Sequence, residues 1–185
     1  MDLYDKIFTE SKKSKKLLYF KKYTGETSFC GYVLSFNSNT VQIQHFTRNG
    51  KSDGVITLRY SDINYITVDN DYLKSIQYII DNNTLIDSEQ SSTLPLDSSS
   101  NWVFNTLNEY KKDKSTLLGI EANGDWYVGF VNDVDDIFFS FTEIDRNGFV
   151  LDTSIYKLED VSSIHINELE SRKRLLLYNW HKSIN

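Results

Sequence analysis

Residues 29–50, FCGYVLSFNSNTVQIQHFTRNG, and residues 127–148, YVGFVNDVDDIFFSFTEIDRNG, are one passage written twice. A constant offset of 98 sets Gly31, Val33, Arg48, Asn49 and Gly50 on Gly129, Val131, Arg146, Asn147 and Gly148, and continues to Asp62 with Asp160 and Ile66 with Ile164. In each copy an alternating run surrounds a glycine, a polar turn follows, and a second alternating run ends at Arg-Asn-Gly. Period two marks half-buried strands, and Asn-Gly supplies the positive φ of a tight hairpin. A repeat of this length is a duplicated domain rather than a short-period solenoid.

Working outward, residues 2–15 read as an amphipathic helix with Leu3, Ile7 and Phe8 on one face, and with Asp2, Asp5, Lys12 and Lys13 placed to suit its dipole. Leu17 and Tyr19, then Phe29, Gly31 and Val33, form a hairpin about Thr24-Gly25-Glu26. Val41, Ile43 and His45 give a third strand, 55–58 a fourth and 65–68 a fifth, before 72–80 switches to helical spacing. Serines crowd around the only proline, Pro95, so 83–100 reads as a Ser-rich linker between domains at 1–82 and 101–185. The second domain repeats the plan: a helix through Trp102, Phe104, Leu107 and Tyr110, then strands near 117–121, 126–134, 137–144, 149–156 and 162–166. A closing helix over 168–182 carries Leu169, Leu176 and Trp180 on its apolar side. The first hairpin is two residues longer in repeat one, because Leu17 matches Leu117 at an offset of 100.

Composition narrows the function classes. The 185 residues hold one cysteine, so no internal disulfide forms, and no apolar leader or membrane-length apolar run is present; a reducing cytoplasm is the expected home and no membrane partner is expected. Net charge is −6, but residues 1–82 hold 11 Lys/Arg and 9 Asp/Glu whereas residues 83–185 hold 9 and 17. The halves present different fields to a partner on one backbone plan, which disfavours a uniform polyanion-binding surface.

The run Phe29-x-Gly31-x-Val33-x-x-Phe36-Asn37, followed by Val41-x-Ile43, resembles the first sequence motif of the Sm-like family, and Tyr127-x-Gly129-x-Val131-x-x-Val134-Asp135 has the same form. The resemblance implies a fold that is mainly β with flanking helices (α+β): two tandem five-stranded Sm-like or SH3-like small barrels. SH3-like barrels and other bent five-stranded sheets produce similar spacing. In that family RNA is held partly by an arginine followed by glycine on the fourth strand. Here Tyr60 follows Arg59 and Leu158 follows Lys157, so the resemblance reaches the scaffold and stops short of the RNA-binding signature.

Two charged surfaces are the candidate binding sites. The basic one comprises Lys12, Lys13, Lys15, Lys16, Lys21, Lys22 and Arg48, beside the rings of Tyr19, Tyr23, Tyr32 and Phe46; it suits a phosphate backbone or an acidic protein. The acidic one comprises Asp133, Asp135, Asp136 and Glu143 and suits a basic partner. The three aspartates fail as a calcium loop, since Phe138 stands at the sixth position and Ile144 at the twelfth, so a polar hairpin turn is expected. His45, His165 and His181 stand in no metal-ligand spacing, no metal or other cofactor is expected, and Cys30 with His45 is the one conceivable nucleophile–base pair. The leading expectation is a non-enzymatic, cytoplasmic protein-binding module, an adaptor or small inhibitor of an unknown protein partner. RNA or single-stranded nucleic-acid binding by repeat one, and a toxin-neutralising (immunity-type) or phage-encoded inhibitor using the acidic surface of repeat two, are the alternatives. Duplication also suggests a pseudo-dimer that replaces part of a ring which Sm-like proteins build from separate chains; the oligomeric state is left open.

Overall fold

The computed structural model describes residues 3–24, 28–87 and 101–184. The expected turn at Thr24-Gly25-Glu26 and the Ser-rich segment from 88 to 100 fall largely outside the described residues. The chain divides into two compact units, Met1–Asn83 and Thr84–Asn185.

The first contains α1 (Leu3–Ser14), β1 (Leu18–Lys22), β2 (Ser28–Phe36), β3 (Thr40–Phe46), β4 (Ser52–Arg59), a one-turn 3-10 helix (Tyr60–Asp62), β5 (Ile63–Thr67) and α2 (Asp71–Asp81). A short α3 (Asn83–Asp87) occupies the first residues expected as linker, with Ile86 buried. The second contains α4 (Trp102–Tyr110), β6 (Leu118–Ala122), β7 (Asp125–Val134), β8 (Phe138–Ile144), β9 (Val150–Lys157), a 3-10 turn (Leu158–Asp160), β10 (Val161–Ile166) and α5 (Leu169–Ile184). The protein is thus mainly β with flanking helices. Each unit holds one five-stranded antiparallel sheet, ordered β4-β3-β2-β1-β5 and β10-β6-β7-β8-β9. Among the described residues no ladder joins β4 to β5 or β9 to β10, so closure of either sheet is not observed.

The duplication extends to the irregularities. The β2–β3 register slips between Val33 and Ser35, and the β7–β8 register slips between Val131 and Asp133, 98 residues on. The β3–β4 and β8–β9 ladders slip at Gln44/Phe46 and Thr142/Ile144, again in step. Beside these slips sit Gly31 and Gly129. A Cβ on Gly31 would fall inside the carbonyl oxygen of Gln44, and one on Gly129 inside that of Thr142. Only glycine lets the neighbouring backbone come this close, which is why a residue that weakens a strand stands in the middle of one.

Bending gives each sheet two packed faces. Inside the first lie Phe8, Leu18, Phe20, Val33, Val41, Ile43, Leu58 and Ile63; inside the second, Leu107, Leu118, Ile120, Val131, Phe139, Phe141 and Val161. Phe8 of α1 and Leu107 of α4 are the helical contributions, both without solvent exposure. Ser11, buried on α1, donates from Oγ to the Lys16 carbonyl (2.7 Å) and accepts from the Val33 N–H (3.0 Å) at the β2 slip. The following helix covers the outer face. Leu73, Ile76 and Ile79 of α2 are buried, and its N-cap Asn70 accepts from the Leu73 N–H at 2.8 Å.

In unit 2 Leu117, Val128, Phe130 and Ile144 pack with Leu175 and Tyr178, while Leu177 of α5 is buried. The apolar side expected for this helix is therefore corrected: Leu169 is exposed and Leu177 is the anchor. Hydrophobic spacing misled here because the inward positions include Lys173, which binds Glu170 at 3.0 Å, and because Arg174 donates to the Ile144 carbonyl at 2.8 Å. Gly50 (φ 70°) and Gly148 (φ 85°) do more than turn the hairpins. A Cβ on them would lie 2.7 Å from Ile79 Cγ2 and 2.5 Å from the Tyr178 nitrogen, so each turn is the seat of its covering helix.

Gly129→Ala is expected to lower stability by about 1–3 kcal/mol or more, since the clash is with backbone that cannot rotate away. Urea unfolding checks this; an unchanged midpoint would remove the bend argument.

Candidate functional site

The outer faces of the β1–β5 and β6–β10 ladders offer matched positions with different chemistry. In unit 1, Tyr19 lies opposite Thr67 and Lys21 opposite Tyr65; in unit 2, Gly119 lies opposite His165 and Glu121 opposite Ser163. The unit 1 face is tyrosine-rich: Tyr19 has Tyr65 at 6.5 Å and Tyr72 edge-on at 6.2 Å. Burial pushes the Tyr72 phenol up, and the positive charge of Arg48 acts against it.

In unit 2 the missing side chain of Gly119 is filled by an indole. A Cβ at Gly119 would run into Trp126, whose Cη2 would be 2.8 Å away. Trp126 stays 43% exposed and stands edge-on to His165 at 4.6 Å. The imidazole Nδ1 is 2.7 Å from Glu168 Oε1, its Nε2 is 3.2 Å from Ser163 Oγ, and Ser163 Oγ donates to Glu121 Oε2 at 3.1 Å. An exposed indole thus sits in a network closed by two carboxylates, an arrangement suited to a cationic group.

Serine, histidine and glutamate in this order are the parts of a nucleophile, its base and an orienting acid. The Ser163 hydroxyl has one proton and two neighbours within reach of it, Glu121 Oε2 at 3.1 Å and His165 Nε2 at 3.2 Å.

The basic residues fall into separate groups. Lys12 and Lys13 end α1, Lys15 Nζ lies 5.9 Å from the Tyr32 ring, and Lys16 pairs with Glu10 at 3.2 Å. α1 meets β2 at Val33, whereas Lys21 faces Ser28 at the other end of that strand, a run of five residues or roughly 16 Å. Lys21, opposite Tyr65, and Arg48, whose charge acts on Tyr72, are therefore the basic residues beside the Tyr19 face, while Lys22 lies opposite Ile63.

The acidic residues divide too. Asp133 accepts from Lys111 at 2.8 Å, and that bond together with the Val134 N–H holds its carboxyl below the usual range. Asp135 accepts from the Phe138 N–H (2.7 Å) and the Ile137 N–H (2.8 Å), just as Asn37 accepts from Asn39 and Thr40. These bonds lower its pKa, and they make the segment a polar turn as expected. Asp136 is exposed on the same hairpin. Glu143, five residues along β8 from Phe138, instead accepts from the Tyr156 hydroxyl at 2.5 Å. Burial, then this bond, pushes the Tyr156 phenol up.

The Cys30–His45 pair does not assemble. Cys30 pairs with Phe46 and Gly31 with His45, which sets the two side chains on opposite faces of the pleat. His45 instead approaches Asp53 at 3.3 Å. Burial pushes the Cys30 thiol up to about 12. Among the described residues no group of three or more His, Cys, Asp or Glu is placed to hold a metal ion, and no helix is long and apolar enough to cross a membrane.

Trp126, Ser163, His165, Glu168 and Glu121 escaped the sequence reading because cross-strand register assembles them. The available signal was period-two Ser163-x-His165, with Gly119 standing where repeat one has Tyr19. Compared with known proteins, the chain matches no family model and no curated protein.

Two measurements check these environments. Iodoacetamide at pH 8 is expected to leave Cys30 unmodified in the native protein and to alkylate it in urea; native alkylation at the rate of a free thiol would contradict its burial. Acid is expected to weaken unit 2 first. Burial raises the Glu170 carboxyl, but bonds and charges from Lys173 and Arg174 outweigh it, so Glu170, like Asp133 and Asp135, sits below its usual range. Such groups stabilise the fold above the unfolded value of about 4, and that contribution is lost as pH falls through the lower folded value. All three tryptophans lie in unit 2, so their fluorescence is expected to change before the near-ultraviolet tyrosine signal as pH drops below about 4.

Proposed function

We propose that the chain is a non-enzymatic, cytoplasmic protein-binding module built on two Sm-like or SH3-like small barrels, with unit 2 receiving a basic segment of its partner. The scaffold part rests on the strand order, the 3-10 turn between the fourth and fifth strands, and the bend glycines; that such barrels commonly work by binding is analogy at the level of fold. The partner part rests on one observation: Trp126, held exposed over Gly119, is flanked by Glu121 and Glu168 where unit 1 presents tyrosine and lysine. Indole with carboxylates favours a lysine or arginine side chain, which stacks on the ring and is neutralised at its rim. A toxin-neutralising or phage-encoded inhibitor is one form of this reading, since many nucleic-acid-cleaving and nucleotide-handling sites are basic.

A second reading, RNA binding by unit 1, is favoured by the Tyr19, Tyr65 and Tyr72 rings beside Lys21 and Arg48, which offer stacking faces and charge together.

The readings separate by experiment. Affinity capture on the native protein is expected to yield one stoichiometric basic protein whose binding falls at least about tenfold on Trp126→Ala, as for a central aromatic contact. Retention that is unchanged in W126A and in the E121Q/E168Q double variant would sink the protein-binding site. Anisotropy with a single-stranded RNA that responds to K21E/R48E at low salt would move the assignment to unit 1.

A further inference from the structure

The two units differ sharply at a second place, the edge formed by the fourth strand of each sheet. Among the described residues β4 and β9 are each paired on one side only. At matched positions β4 and its turn carry Lys51, Ser52, Asp53 and Thr57, whereas β9 and its turn carry Phe149, Val150, Leu151 and Ile155. These four apolar side chains are 44, 54, 60 and 73% exposed. Edge strands are ordinarily guarded by charge, as β4 is; an apolar edge with unpaired backbone groups is a template for another strand.

Irregularity bounds the usable length. The slip opposite Thr142/Ile144 interrupts β9 before Thr153, leaving Thr153–Lys157 as regular edge. Ile155, the most exposed of the four, projects beside Ser140 and lines a shallow hollow of about 180 Å³ with Phe138, Asp133 and Asp135. Charge selects the occupant. Asp133, Asp135, Asp136, Asp152 and Glu159 lie on or beside this edge against Lys111 and Lys157, and both lysines are already bound, to Asp133 and Glu159. A second copy of β9 would bring the same carboxylates to the contact, and like charges oppose it.

We propose that the β9 edge binds, by strand addition, an extended segment of a partner protein about five residues long, with an apolar residue beside Ile155 and basic residues flanking it. The inference rests on the protein-binding reading but not on Trp126, which stands on the central strand β7 with its ring over Gly119 of β6.

The test uses the full chain and an acetylated, amidated peptide alternating lysine with isoleucine. The peptide is expected to bind with protection of β9 backbone amides from hydrogen exchange, and to bind at least about tenfold more weakly to Ile155→Lys, whose fold is checked by circular dichroism. An analogue N-methylated at alternate residues keeps the charge and loses the edge hydrogen bonds, so it is expected not to bind. Equal binding of the analogue, or an unchanged affinity for I155K, overturns the proposal and leaves plain charge attraction. Concentration-dependent dimerisation abolished by I155K overturns it in favour of a second copy. Because W126A leaves β9 intact, loss of peptide binding in I155K alone separates this edge from the tryptophan site, and either can fail without the other.

Discussion

The contact on which each unit depends is a backbone approach at a glycine. The Gln44 carbonyl occupies the space of a Gly31 side chain, and the Thr142 carbonyl that of Gly129. A flat sheet would pack one face well and leave its helices to compete for it. Once the second strand bends, a concave face closes on Phe8 or Leu107 from the preceding helix, and the convex face becomes the floor for α2 or α5. The Asn-Gly turn completes this arrangement, because only a residue without Cβ lets the covering helix settle against the hairpin.

Much of this was legible in the sequence because it depends on local period and on residues without alternatives. Alternation through Val41 and Ile43, and again through Phe139 and Phe141, gives strands, and glycine within a strand announces a bend. Legibility fails where partners are brought together by register. Nothing in the spacing of Gly119 and Trp126 says that one fills the place of the other, and nothing near His165 predicts that Glu121 reaches Ser163. The inner side of α5 failed for a different reason: hydrophobic periodicity cannot see a helix that buries Lys173 with its own Glu170.

Duplication also supplies an internal control on chemistry. The polar groups inside unit 2 are not scattered: Tyr156 stands where unit 1 has Leu58, and it bonds to Glu143, which takes the place of the already polar His45. Arg174 stands where Ile76 is, and it reaches the Ile144 carbonyl. A buried polar group introduced alone costs stability, whereas a pair introduced together need not. Unit 2 therefore couples its covering helix to the Glu170 carboxylate, held below its usual range by Lys173 and Arg174, in a way that the apolar helix contacts of unit 1 do not.

The ladder faces follow the same rule of paired change. Unit 1 places the large ring at Tyr19 and a small residue at Ser28; unit 2 places the small residue at Gly119 and the large ring at Trp126. At this pair of positions one aromatic ring is retained while the strand that supplies it changes from the first of the unit to the second. The charge beside it is inverted, from Lys21 to Glu121. Volume-conserving exchange accounts for the ring but gives no reason for the inversion. The same scaffold therefore carries opposite charge at matched positions of its two outer faces, so a charged group suited to one face is disfavoured at the other.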